Sequence, residues 1–317
     1  MPHRDDLASL RGTLDALRGQ TRAPDSVCVV DDASSDATPE EVPAAYPEVR
    51  YVRLERNVGF GAACNTGVRT SAADVVLLLN NDTVADPRFV EEVMAVREAT
   101  GAAMVAACLR KRDGTVDSFG IELDRSLAAF DALHGQPYDP ARAARLEPLA
   151  PCAGAGAYDR AAFLRAGGFD EAMFAYLEDV DLGVRLALAG ERCAVAPRAF
   201  AWHLHSAYWG SGTARKNERM GDSRGHIVWK YHSGLSRRAR ARGWVIDLVV
   251  YAGQVAIDRN AGALRGRWHG WRRRRALGPS GVPAHALGQL PYVEVTLCEA
   301  LARRLARRRP RRAGAPA

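Results

Sequence analysis

The chain has 317 residues, 47% of them hydrophobic, enough for one large domain or for a domain of about 200 to 250 residues with an appendage. Its net charge of +7 hides an asymmetry: residues 236–317 hold 18 arginines, no lysine and 4 acids, a net +14, while residues 1–235 carry 26 basic and 33 acidic side chains, a net −7. Six scattered cysteines with no CxxC pair argue against a disulfide scaffold or a zinc module and read as reduced thiols in a cytosolic setting, and the start MPHRDDLASLRG lacks the apolar core of a signal peptide.

Leu7, Leu10, Leu14 and Leu17 recur at helical spacing and predict an opening helix. SVCVVDD (26–32) reads as a buried strand that breaks off at two acids, and ATPEE (37–41) as a helix start with Thr38 as cap, Pro39 in the first position and Glu41 closing a capping box. VRYVRL (49–54) predicts a strand, GFGAACNTGVRT (59–70) a helix, ADVVLLLN (73–80) a strand, residues 86–99 a helix and AAMVAACL (102–109) a strand. This alternation implies an α/β fold with a mostly parallel sheet and helices on both faces. Ligands then bind beyond the carboxyl ends of the strands, where Asp31, Asp32, the loop RNVGFG and Asn80 to Asp82 lie.

RKRDGTVDS (110–118) predicts a hairpin turning at Asp113 and Gly114, and residues 118–150 read as irregular. A helix is expected from Glu178 to Ala189, stopped by Gly190, with Glu178, Asp179 and Asp181 in its first turn, where the helix dipole favours negative charge. Asp181 and Arg185, four apart, suit an ion pair. The glycine spacing of NVGFGAACN is not a dinucleotide fingerprint, because the full GxGxxG after the first strand is lacking and there is no acid at the required distance.

Taken in order, VVDDASSDAT, ERNVGFGAACNTGV, LLLNNDT, GGFDEAMFAYLEDVDLGVRL and HLHSAYWGSGTARKNERM resemble the family 2 inverting glycosyltransferases of GT-A fold, in particular the bacterial rhamnosyltransferase-like branch; together they span roughly residues 7–232. The resemblance implies that Asp32 accepts the N3 proton of a uracil or thymine ring. It places Asp82, the last acid of a metal-binding signature relaxed here to Asn-Asn-Asp, on a Mg2+ or Mn2+ that bridges the donor diphosphate, with His203 or His205 completing the metal shell. Asp179 matches the general base, beside Glu178 on the acceptor side. Asn57, Gly59, Asn65 and Asn81 are expected around the ribose and diphosphate, and Lys216, Arg219 and Arg224 are candidates to grip diphosphate oxygens or else to solvate a helix face.

The chemistry asks for such groups. A departing nucleoside diphosphate accumulates charge that a cation on hard oxygen ligands neutralises, and a sugar hydroxyl attacks well only when a carboxylate takes its proton. Two departures from the family pattern stand out. The family opens with a strand that lines the base pocket, yet MPHRDD begins where that strand ends, so the first strand is expected to be missing. Asn81 in place of an acid leaves the metal site less charged.

Residues 236–277 combine the apolar run at 244–257, flanking arginines and Trp244, Tyr251, Trp268 and Trp271. That run contains Asp247 and Gln254 and is too short to span a bilayer. Basic amphipathic helices on a membrane surface are expected there, or else helices packed on the 1–235 domain; 278–317 reads as a linker, a short basic helix and a disordered end. No nucleic-acid-binding module is visible. The expected protein is a metal-dependent transferase at the cytoplasmic membrane face. It would move a sugar such as rhamnose from a nucleotide-diphosphate donor to a polyprenyl-linked or cell-surface glycan. The competing expectations are a truncated relative that only binds membrane or nucleotide, and a sugar nucleotidyltransferase.

Overall fold

The structure is a computed structural model that describes residues 1–204, 213–277, 282–296, 298, 299 and 302. The first half runs β1 (Pro2–His3), α1 (Leu7–Arg18), β2 (Cys28–Asp31), α2 (Thr38–Ala45), β3 (Arg50–Arg53), α3 (Phe60–Thr70), β4 (Val75–Leu79), β5 (Thr83–Ala85), α4 (Phe89–Thr100) and β6 (Met104–Arg110). The second runs β7 (Val116–Ser118), β8 (Ile121–Leu123), β9 (Ala129–Asp131), α5 (Pro140–Ala143), β10 (Ala155–Asp159), α6 (Arg160–Arg165), α7 (Glu178–Leu188), β11 (Cys193–His203), α8 (Ala214–Lys230), α9 (Arg237–Ile257), α10 (Gly262–Leu277) and α11 (Ala284–Leu287).

Strands β1, β2 and β3 form a parallel sheet. A second sheet has the order β4-β10-β6-β11-β5, with β7 on β6. It is mixed: β6 and β11 are parallel, while β10 runs antiparallel to both β4 and β6, and β5 antiparallel to β11. Where a first strand was expected to be missing, Pro2–His3 pairs with Val30–Asp31, and the Met1 ammonium donates to the Cys28 carbonyl at 2.8 Å.

Local chemistry explains most element boundaries. Leu10, Leu14 and Leu17 bury the inner stripe of α1, and Asp6 caps it by accepting from the Ser9 N–H. Thr38 is the first residue of α2 rather than its cap; Asp36 accepts from the Thr38 and Leu7 N–H groups instead, and the Thr38 hydroxyl turns to His3 at 3.0 Å. The turn at Gly114 (φ +82°) joins β6 to β7 as a hairpin, and Gly190 (φ +85°) follows α7. The region expected to be irregular holds the β8/β9 hairpin, whose turn is drawn in by Asp124 accepting from the Ser126 and Ala128 N–H groups. Strands of three residues are too short for their alternation to be read.

Helices α8 and α10 lie side by side and parallel, at a spacing only glycine permits. A Cβ on Gly262, Gly266 or Gly270 would collide with the backbone of α8 near Ala214, Glu218 or Asp222, and one on Gly221 with the Ala263 carbonyl. Asp247 of α9 ties the trio together, pairing with Arg224 of α8 at 3.1 Å and Arg267 of α10 at 2.7 Å. Arg242 reaches Asp124 at 2.9 Å, so the three helices pack on the sheet-bearing part of the chain.

Candidate active site

Four segment ends converge beyond the sheet. The apolar run of β4 stops because residues 80–82 turn: the Asn80 N–H bonds the Gly154 carbonyl, and its own carbonyl accepts from the Thr83 hydroxyl. That turn delivers Asp82, buried, to within 3.2 Å of His203 Nε2 at the end of β11. Asn81 points the other way, its Nδ2 2.9 Å from His3 Nδ1, while its carbonyl accepts from Thr13. Of Asn81 and Asp82, only Asp82 therefore faces His203.

His203 Nδ1 donates to Asp117 at 2.7 Å. Burial alone would lower the imidazole pKa, yet hydrogen bonds to Asp117 and Asp82 hold it up at about 9. Asp117 was not singled out in the sequence; it lies on β7, across the end of β6 from His203, with His134 Nδ1 and Lys111 Nζ 3.7 and 3.9 Å from its Oδ1. Lys216, in the first turn of α8, is drawn in from the other side: burial lowers its pKa, Asp117 opposes that, and its Nζ lies 5.6 Å from the Tyr176 ring centre. The other histidine considered, His205, lies outside the described residues.

Asp179 sits at the start of α7, half-buried, its Oδ2 accepting from the Ala153 N–H at 3.2 Å and its Oδ1 from the Val180 N–H. Ala153 precedes the glycine that holds Asn80, which ties Asp179 to the turn carrying Asp82. Burial raises the Asp179 pKa against three backbone hydrogen bonds. Glu178 is deeper, packed over Gly61 of α3, and its pKa is pushed up by burial first and by the Asp179 charge second. Its buried Oε2 has no hydrogen-bond partner among the described residues. Tyr176 and Leu177, just before this helix, both hold left-handed φ (70° and 66°), a strain of roughly 1–3 kcal/mol each that aims the two acids.

The nucleotide-side residues divide. Asp32 accepts from the Val58 and Gly59 N–H groups at 2.6 and 2.9 Å, so it shapes the NVGFG loop directly, and Asn57 adds a third acceptor at 3.1 Å. Gly59 has φ +94°, and a Cβ there would strike the Phe174 carbonyl, which accepts from the Phe60 N–H at 2.9 Å. Asp31 is turned inward to Ser34 and Tyr51. Asn65 does not reach a ligand: it is buried, and both ends of its amide are taken by the Phe169 backbone, at 2.9 Å from Nδ2 and 2.8 Å to Oδ1. Arg224 is likewise no anion grip, since its guanidinium is buried against Asp247 and the Ser126 and Leu127 carbonyls. Arg219 lies on the Phe174 ring at 4.2 Å. The Asp181–Arg185 pair forms at 2.8 Å, joined by Lys230 and Tyr231.

A divalent cation fits Asp82 and His203. Neighbouring ligands of an octahedral ion at about 2.1 Å stand about 3 Å apart, close to the observed 3.2 Å. Among the described residues no group of three or more side chains is assembled for a metal.

Residues 1–161 match the family described as Glycosyl transferase family 2. The chain is 31% identical over 219 residues to the N-acetylglucosaminyl-diphospho-decaprenol L-rhamnosyltransferase of Mycobacterium tuberculosis, covering 62% of this chain and 71% of that one. It is 28% identical over 221 residues to the pre-mycofactocin glycosyltransferase of the same organism, covering 68% of this chain and 44% of that one. Among solved structures, GalNAc-T7 with UDP, GalNAc and Mn2+ superposes with a TM-score of 0.60 at 13% identity over 90% of this chain, which spans only 54% of GalNAc-T7. The mannosyltransferase PcManGT of Pyrobaculum calidifontis with GDP-Man and Mn2+ gives 0.53 at 18% identity, covering 90% of this chain and 76% of that one. These likenesses establish the GT-A fold.

Proposed function

Since the chain belongs to glycosyl transferase family 2 and is a glycosyltransferase, we propose that it moves a sugar from a nucleotide-diphosphate donor to a lipid-linked glycan with inversion, Asp179 acting as general base. The observation that supports this is the convergence of Asp82 and His203 with Asp179, linked through Ala153, Gly154 and Asn80.

Asp82 and His203 would hold Mg2+ or Mn2+. When bound, the ion neutralises the charge building on the leaving diphosphate. Lys216 reaches the same place from α8 and binds diphosphate oxygens. Asp32, Asn57 and Gly59 shape the loop that seats the nucleoside. Asp179 takes the proton of the acceptor hydroxyl, and its raised pKa brings it nearer the working pH, which suits a base. Glu178 belongs to the acceptor side on the strength of its unpartnered Oε2. The mycobacterial relative, named for an N-acetylglucosaminyl-diphospho-decaprenol acceptor and L-rhamnose, supports a polyprenyl diphosphate acceptor and a deoxythymidine-diphosphate rhamnose donor.

No helix among the described residues is long and apolar enough to cross a membrane. Exposed Trp244 and Leu248 on α9 and Leu264, Trp268 and Trp271 on α10, set among arginines, support peripheral docking on the anionic cytoplasmic face of the membrane, where such an acceptor lies. The decisive experiment offers a panel of nucleotide sugars with Mn2+ or Mg2+ and a polyprenyl-diphosphate acceptor to the full chain and to Asp179→Asn. Divalent-dependent turnover with one donor, reduced roughly 100- to 10,000-fold in Asp179→Asn at unchanged donor affinity, is expected. Undiminished turnover in Asp179→Asn refutes the assignment of the base.

A further inference from the structure

The divalent-cation reading leaves open what fixes the His203 ring. A histidine offers a metal only one nitrogen, and which one is set by the hydrogen bond the other makes. Here Asp117 supplies that bond from a place the sequence does not connect with His203, 86 residues away. Strand β6 ends at Arg110; β7 pairs with it on one side through Val116 and Ser118, and β11 on the other through Trp202. At that end Asp117, the extra residue left between the two β7 pairs, meets His203, the residue after Trp202. A carboxylate only accepts, so the 2.7 Å contact makes Nδ1 the donor and turns Nε2 toward Asp82 at 3.2 Å. Asp117 is itself held: His134 Nδ1 lies 2.6 Å from its carbonyl and 3.7 Å from Oδ1, His134 Nε2 lies 3.3 Å from Lys111 Nζ, and Lys111 Nζ lies 3.9 Å from the same Oδ1.

We propose that Asp117 is a positioning residue of the transferase: it fixes the His203 imidazole with Nε2 toward Asp82, so that the two present one preorganised nitrogen and oxygen pair to a divalent cation. His134 and Lys111 brace the Asp117 carboxylate in that role. The inference rests on the reading of Asp82 and His203 as metal ligands, and the test separates the two.

Mn2+ is titrated into the full chain with dTDP present, and free Mn2+ is counted by electron paramagnetic resonance, for wild type, His203→Ala, Asp117→Ala, Asp117→Asn and the Asp117→Ala/His203→Ala double variant. Circular dichroism confirms that each is folded at the assay temperature. Asp117→Ala is expected to weaken Mn2+ binding 10- to 100-fold. Asp117→Asn, whose carbonyl oxygen still accepts from Nδ1, should recover part of the loss. The Asp117 change should lose most of its effect once His203 is gone, because it acts chiefly through that ring. If His203→Ala weakens Mn2+ but Asp117→Ala does not, or if the Asp117 loss is undiminished in the His203→Ala background, the positioning role is wrong while the metal site stands. If His203→Ala binds Mn2+ as wild type does, the metal reading falls and the inference with it.

Discussion

Replacing Asn65 with alanine tests whether this side chain serves the fold or the donor. In the structure its amide closes a two-way bridge from α3 to the loop before α7, donating a hydrogen bond to the Phe169 carbonyl and accepting one from the Phe169 N–H, 104 residues away, with a further bond to Glu171. The Phe169 ring beneath that bridge stands edge-on to Phe163 at 5.2 Å in a buried aromatic cluster, and Asn65 itself is buried. Removing the amide strands one buried donor and one buried acceptor at about 1–3 kcal/mol each, or about 2–6 kcal/mol in all. With an unfolding entropy of about 2.1 cal/mol/K per residue, each kcal/mol moves the midpoint of a chain this long by about 1.5 °C, so the midpoint should fall by roughly 3–9 °C. Differential scanning calorimetry gives the midpoint, and isothermal titration with dTDP, UDP and GDP at a temperature where both proteins are folded gives the nucleotide Kd. A lowered midpoint with Kd changed by less than threefold is expected. An unchanged midpoint with nucleotide binding weakened tenfold or more would show that Asn65 faces the ligand and that the Phe169 bridge is energetically idle.

Glu178 supplies a pH prediction. Burial, then the Asp179 charge, lifts its pKa from an ordinary 4.5 to about 8, so between those values the folded chain binds a proton that the unfolded chain releases. This contribution to stability falls as pH rises from about 4.5 to 8 and levels off above; the midpoint of unfolding measured from pH 5 to pH 8 should drop less steeply in Glu178→Gln than in wild type, and equal slopes would refute the assignment. Gly266→Ala should loosen α10 from α8 and cost at least the roughly 1–3 kcal/mol of core overpacking, because its Cβ meets the Glu218 carbonyl; Gly12→Ala on α1, with nothing within 4 Å, should instead stabilise by about 0.5–1 kcal/mol in the same urea titration. Arg224→Ala leaves Asp247 with Arg267 alone and strands the Ser126 and Leu127 carbonyl groups, which should cost about 2–6 kcal/mol, with nucleotide affinity intact in calorimetry; an equal loss of diphosphate binding would restore it as an anion grip.

What the sequence disclosed was whatever depends on neighbours along the chain. The leucines of α1, the apolar run ending at Asp82, the stop at Gly190 and the Asp181–Arg185 pair are all local patterns. The direction of β10 was hidden because CAGAGAYD carries no orientation: a short alanine and glycine strand reads the same whichever way it pairs. Asp117 escaped notice because DGTVDS is ordinary hairpin composition, and its meaning comes from a histidine two strands away. Asn65 and Arg224 were visible as polar residues in the right neighbourhoods, but whether a side chain faces ligand or protein depends on what the fold lays against it, here Phe169 and Asp247. The glycines of α10 lie four apart, a local pattern, yet only the presence of α8 alongside shows why no side chain fits there.

That close pairing of α8 with α10 bears on where the enzyme can be cut. Lys216 and the glycines Gly221 and Gly225 belong to one helix, so the element that reaches the diphosphate end of the cleft also forms the seat of α10. A chain ended after Leu235 would leave the glycine face of α8 with its backbone open to water and Arg224 without Asp247, and Lys216 would ride on a helix that has lost its support. The tryptophan-bearing tail is thus no detachable handle, and the proposed membrane role is to be tested apart from catalysis by single substitutions at exposed Leu248 and Trp268.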